Sequence, residues 1–321
     1  MPYLVRSKPV SKGLFRTLRT SIIKPVVIPA NGLISIPTLR TNSLGRPSLR
    51  KQSGGGISSH RFYSTSTAMA SSELKQTLTP TLLNDVHKLW FDHLSSEEAL
   101  ILPGWGEMGK WFSRDDDFDK ACGKFCPALD KIIESGASAS DILSAVNPSS
   151  PLDWLNLIIL LDQISRNCYR AAESKVVFGK FDPLAEEIAL KAIEQGIPTQ
   201  SPYYRYRIAY RTWFHMPLMH SESLAVHEQA IKVHEDTARD VNELLAKDPL
   251  TLSEEEKICH TVLSGKAEAL QALLSSTMDF EKRHKVIIEQ FGRYPHRNQA
   301  LGRVSTSEEI EYLENGGETF G

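Results

Sequence analysis

The chain has 321 residues, 41% of them hydrophobic and 24% charged, with four cysteines and a formal net charge of −2. That length holds one large or two ordinary domains, and the composition is neither collagen-like nor that of a wholly disordered chain. Four cysteines are too few for a disulfide-dense scaffold. The longest unbroken apolar run, the five residues Leu157 to Leu161, falls far short of the roughly 20 that a membrane-spanning helix needs, so membrane integration is not expected.

The near-zero charge averages two unlike segments. Residues 1–72 carry eleven Lys or Arg and no acid, which leaves 26 basic and 39 acidic residues, a net of −13, in residues 73–321. The basic segment is rich in Ser and Thr and is interrupted by Pro25, Pro29, Pro37 and Gly54-Gly55-Gly56. It has the composition of a mitochondrial presequence, because a cationic, loosely amphipathic stretch is drawn toward a negative-inside membrane potential. Arg61-Phe62-Tyr63-Ser64 fits a matrix-peptidase site with cleavage after Tyr63. The expectation is a matrix protein, with a cytosolic form if translation also starts at Met69. The division expected is a basic presequence, 1–72, and one all-helical domain, 73–321.

From Thr81 onward apolar residues recur at spacings of three and four, the helical period. The predicted helices, in chain order, cover 80–94, 115–135, 139–146, 151–167, 182–195, 202–216, 222–246, 252–275, 279–291 and 306–315. Gly136, Gly196 and Gly292 stand where helices stop, and Ser253…Glu256 and Thr306…Glu309 have capping-box spacing. Short connections between so many helices predict an all-α stack of antiparallel helical hairpins, tetratricopeptide-like but without the strict 34-residue repeat. Leu152 to Leu161 is apolar on nearly every face, so it is expected to be a central buried helix.

Three polar clusters interrupt this apolar pattern. Asp162, Gln163, Arg166 and Asn167 follow the central helix, and Asp162 and Arg166, four apart, share a face. His220-Ser221-Glu222 follows an aromatic helix that meets Pro217. His284 precedes Arg293-Tyr294-Pro295-His296-Arg297-Asn298, which lies beyond Gly292. Leu161-Asp162-Gln163…Arg166-Asn167, Pro217-Leu218-Met219-His220-Ser221-Glu222, Phe291-Gly292-Arg293-Tyr294-Pro295-His296-Arg297-Asn298 and Leu301-Gly302-Arg303…Ser305-Thr306…Glu308-Glu309 resemble, in order, the motifs of the domain-of-unknown-function 924 family over about residues 80–321. The resemblance implies a tetratricopeptide-like all-helical fold and no established reaction. This chain has Ile164-Ser165 where family members often carry Phe-Pro.

If the clusters converge, Arg166, Arg293 and Arg297 with His220, His284 and His296 form a cationic site for a small anionic molecule or an acidic peptide end, since guanidinium matches carboxylate and phosphate geometry. Glu222 or Asp162 could orient a histidine for acid–base work, which leaves open a hydrolase or lyase using His220 and Glu222 with Arg293 and Arg297 holding the substrate. Buried Arg–Asp pairs also join helices in ordinary cores, so a protein-interaction scaffold without a pocket is the third reading.

A metal centre is not expected. His220, His227 and His234 recur every seven residues, about 10.5 Å apart along a helix, too far for one ion. The remaining set, His220, Glu222, His284 and His296, has no HExxH-type or Cys–His pair spacing behind it. No cofactor motif occurs, the four cysteines read as free thiols in a helical core, and the acidic domain disfavours nucleic acid despite the run Tyr203-Tyr204-Arg205-Tyr206-Arg207…Tyr210-Arg211.

Overall fold

The computed structural model describes residues 72–320. The basic segment, except for Ser72, lies outside them, as does Met69. Among the described residues there are helices and no strands, as the periodicity predicts.

α1 occupies residues 72–77. α2 (Pro80–Phe91) starts at Thr79, whose hydroxyl accepts the Leu82 amide at 3.2 Å. α3 (Glu97–Ile101) and α4 (Trp105–Phe112) are absent from the sequence reading, because such short pieces carry too few turns to establish a period. The single helix expected over 115–135 is instead α5 (Asp116–Cys122), a 3₁₀ turn (Gly123–Phe125) and α6 (Cys126–Ser135). Pro127 has no amide to donate to a continuing helix and sits in the first turn of a new one. α7 (Ala139–Val146) matches its predicted bounds, with Ser138 and Asp141 closing a capping box.

α8 (Pro151–Ile159) starts from the Ser150–Asp153 capping box and is buried from Trp154 to its end. It packs between α2, α11 (Asp182–Glu194) and α13 (Ile208–Met219). It does not continue as a plain α-helix. A π turn (Leu160–Ile164), all five residues buried, leads into α9 (Ser165–Cys168), and a second π turn (Val177–Phe181) joins α10 (Ser174–Val176) to α11.

The helix expected over 202–216 is α12 (Pro202–Arg205) and α13, broken where Arg207 turns inward. Arg207 is fully buried, lies 3.6 Å from the Tyr203 ring centre and pairs with Glu97 and Glu255. α14 (Leu224–Ala246) follows, and the break expected near residue 277 falls instead at Lys266, between α15 (Glu254–Gly265) and α16 (Ala267–Phe291). α16 runs through Ser275-Ser276-Thr277, where the Thr277 hydroxyl bonds back to the Leu274 carbonyl at 3.0 Å. α17 (Ser307–Glu314) closes the described chain. α13, α14 and α16 pack successively, so neighbouring helices form stacked hairpins.

Candidate functional site

The two π turns pack against each other, and each delivers an aspartate. A π turn adds one residue to the helical circuit, so side chains beyond it are rotated relative to an α register. The first carries Asp162, 1% exposed. The second ends at Asp182, the first residue of α11, where the helix N-terminus favours an anion. α13 contributes His220 at its C-cap. The 3₁₀ turn Pro295–Arg297, reached after Gly292 reverses the chain with φ of +68°, contributes Arg297.

These residues form one network. His220 Nδ1 lies 2.7 Å from Asp162 Oδ1, and the Gln163 side-chain amide donates to Asp162 Oδ2 at 2.6 Å. Arg166 Nη1 donates to Asp182 Oδ1 at 2.6 Å and to the Asp162 carbonyl at 2.9 Å. Arg297 Nη1 donates to the His220 carbonyl at 3.0 Å, stands 3.3 Å from Asp182 Oδ2, and its guanidinium lies between the rings of Phe178 and Tyr294. Two carboxylates and two guanidinium groups thus balance one another out of water, as buried charges must.

Burial pushes the Asp162 pKa up, but His220 and Arg166 outweigh it and hold the carboxyl at about 2. Ionised, Asp162 can only accept hydrogen bonds, so the proton of a neutral His220 sits on Nδ1 and the lone pair on Nε2. Burial opposes the charge on Arg166, and Asp182 and Asp162 together more than restore it. Burial lowers the pKa of Arg297 despite Asp182 beside it. The side chains of Asp162 and Asp182 are 1% and 7% exposed, those of His220 and Arg166 13% and 16%. The solvent-facing edge of the network is therefore imidazole and guanidinium. His220 Nε2 and the Arg166 nitrogens other than Nη1 make no hydrogen bond among the described residues.

The expected clusters converge only in part. Asp162, Gln163, Arg166, His220 and Arg297 meet; Asn167 donates to the Gln163 carbonyl at 3.0 Å. Glu222 does not orient His220. It accepts the Tyr294 amide at 2.9 Å and a two-nitrogen ion pair from Arg303, which hold its carboxyl below the usual range against the effect of burial. Arg293 is bound to Glu309 through two nitrogens at 2.6 and 2.8 Å, and Asn298 donates to the same carboxylate at 3.0 Å. These two residues fasten the start of α17 and do not join the His220 network. His284 bonds the Phe280 carbonyl at 2.7 Å and stacks on Phe320, and burial lowers its pKa to about 3. His296 is brought down to about 4, again by burial first.

Sequence reasoning missed Asp182, whose partners lie 16 residues upstream and far downstream, and the buried chain beneath the site. There His227 Nδ1 is 2.6 Å from Glu281, its Nε2 is 2.9 Å from the Ser221 carbonyl, and the Tyr294 hydroxyl donates to the Met219 carbonyl at 2.7 Å. A histidine with an acid in a distant helix leaves no local signal.

Among the described residues, Asp162, Asp182 and His220 place ligand-type atoms within 4.8 Å of one another. Arg166 and Arg297 already neutralise those carboxylates, so guanidinium groups stand where a cation would be held. The set His220, Glu222, His284 and His296 is not gathered.

The model of a family described as bacterial protein of unknown function (DUF924) matches residues 86–317. No curated protein matches the chain. A solved structure of a protein of unknown function, ATU0120 from Agrobacterium tumefaciens, is similar at 24% identity, covering 70% of this chain and 99% of that one, with a TM-score of 0.41.

Proposed function

The chain belongs to the DUF924 family, whose description assigns no activity, and we propose that it binds the carboxylate or phosphate of a small anionic molecule, or the acidic end of a peptide, at His220 and Arg166. The observation that carries this reading is the Asp162–His220 hydrogen bond at 2.7 Å. It fixes the imidazole with Nε2 unpartnered among the described residues, on a ring that, like the Arg166 guanidinium, is partly exposed and touches Asp162. An anion there accepts charge-assisted hydrogen bonds from Arg166 and, with a proton, from His220 Nε2.

The test is the unfolding midpoint in acetate, succinate, inorganic phosphate and a short peptide ending in Asp-Glu. A ligand at about 100 times its Kd adds roughly 2.7 kcal/mol to the folded state. At least one probe is expected to stabilise the wild type and to lose that effect in His220→Asn, which can keep the bond to Asp162 but lacks Nε2. If none of the probes has an effect that depends on His220, the reading fails.

The second reading is a hydrolase or lyase, and the same hydrogen bond favours it, with Asp162 in the role first given to Glu222. A carboxylate on Nδ1 leaves Nε2 basic and correctly aimed for proton transfer. Turnover of any ester, phosphate or carboxylic-acid substrate that His220→Asn abolishes would favour it over simple binding.

We further propose that the basic segment directs the chain to the mitochondrial matrix. Its eleven cations without an acid support this. Mass spectrometry of the protein from fractionated cells is expected to find a matrix form beginning at Ser64, and a cytosolic form beginning near Met69 if the internal start is used. A matrix fraction without the protein would refute the targeting.

A further inference from the structure

We infer that the crevice between α12, α13 and α14 is a second ligand site, one that takes a small tetrahedral dianion, either inorganic phosphate or a short phosphate monoester. This cavity of about 200 Å³ is lined on its polar side by Arg205, Arg211, His215, Asp236, Arg239 and Asp240. That volume has room for a phosphate carrying a short substituent.

Two of its lining side chains are built into the core, with Arg211 2% and His215 4% exposed. Arg239, 58% exposed, marks the mouth. Two of the three guanidinium groups have carboxylate partners: Arg211 with Asp240 at 2.7 Å and Arg239 with Asp236 at 2.6 Å. Arg205 has none among the described residues and donates only to the Thr199 carbonyl at 3.0 Å. The lining therefore holds one guanidinium group more than carboxylates, with Glu243 standing 3.9 Å from Arg239 Nε.

Three buried nitrogens of this lining, Arg205 Nε, Arg211 Nε and His215 Nε2, have no hydrogen-bond partner among the described residues. Buried polar groups are ordinarily satisfied, so the lining is short of acceptors on three residues beside one cavity, and an occupant reaches these nitrogens as the surrounding side chains adjust to it. A phosphate offers acceptor oxygens and a charge to balance Arg205. Burial first, then His234 and Arg211, hold the His215 pKa well below its ordinary value, so this ring adds no charge of its own to the crevice. The aromatic and basic stretch Tyr203 to Arg211 thus divides its labour. Arg207 locks helices together, while Arg205 and Arg211 face the crevice.

The test is calorimetric titration of the full chain with inorganic phosphate and with methyl phosphate, acetate serving as the monoanion control. The variants are Arg205→Gln with Arg239→Gln, and His220→Asn. Arg205 is partly exposed and Arg239 is at the surface, so the double variant is expected to fold; its unfolding curve checks that. The wild type and His220→Asn are expected to bind one of the two phosphates at least tenfold more tightly than acetate, and the double variant, made in the His220→Asn background so that the first site is silent, to lose at least tenfold in affinity. Tighter binding of methyl phosphate would identify an ester as the occupant, and equal or weaker binding the free ion. Absence of phosphate binding by the wild type, binding unchanged in the double variant, or binding lost in His220→Asn would each overturn the proposal.

Discussion

Asp162 and His220 share one hydrogen bond, yet the two side chains have different consequences when removed. Asp162 is the buried anion between His220 and Arg166, and neutralising it removes the acceptor of His220 and one of the two carboxylates that balance Arg166 out of water. Asp162→Asn is therefore expected to destabilise the fold by about 3 kcal/mol or more in urea unfolding, in the range for breaking a buried pair. His220→Asn keeps a donor toward Asp162 and is expected to lie within about 1 kcal/mol of wild type. Equal losses in the two variants would mean that His220 is held for stability alone. His284 and His296, brought down to about 3 and about 4 by burial, add a pH dependence. Their pKa values are depressed on folding, so their contribution is complete above about 6.5, the unfolded value, and is lost as pH falls toward 4 and then 3. Each protonation that separates the two states changes stability by about 1.4 kcal/mol per pH unit. The slope of stability against pH between 6.5 and 4 is expected to flatten in His296→Gln; an unaltered slope would place its titration elsewhere.

At the scale of elements, what could be read from the sequence depended on whether a segment repeats its pattern. α14 runs long enough for the three-and-four spacing to place it, α7, no longer than α4, stands just beyond the helix stop at Gly136, and Ser253 and Thr306 mark helix starts by their capping chemistry. The π turns at Leu160–Ile164 and Val177–Phe181 could not be read, because one added residue in a five-residue turn shifts the apolar spacing too little to be told from the ordinary alternation of three and four. Yet those turns bring Asp162 and Asp182 together. Glu222 was misplaced for a related reason: its partner, Arg303, is 81 residues away, and local sequence cannot choose between that pair and His220. Arg293, Asn298 and Glu309 show what the third cluster does, as a clasp joining the turn after α16 to the first turn of α17. Arg293 holds the Glu309 carboxyl at about 2. Glu309→Gln is expected to raise amide hydrogen exchange over residues 307–314 at least tenfold and to leave α8 as protected as before. Acceleration in both places would show that the clasp supports the whole core.

For the whole molecule, the −2 of the chain separates into a basic segment and a body of −13. Against that acidic background, three motifs far apart in sequence place an imidazole and a guanidinium side by side at the edge of a buried, charge-balanced network. The sequence left their convergence open; it required only that ionised groups at the end of an apolar helix find partners. The partner identities belong to the tertiary fold. The most direct measurement is imidazole nitrogen NMR of the full chain, with the His220 signal assigned by its loss in His220→Asn. The neutral ring is expected to carry its proton on Nδ1, and the Nε2 resonance to move on addition of a stabilising anion. A ring protonated on Nε2, or an Nε2 resonance indifferent to every such anion, would contradict the anion site at His220.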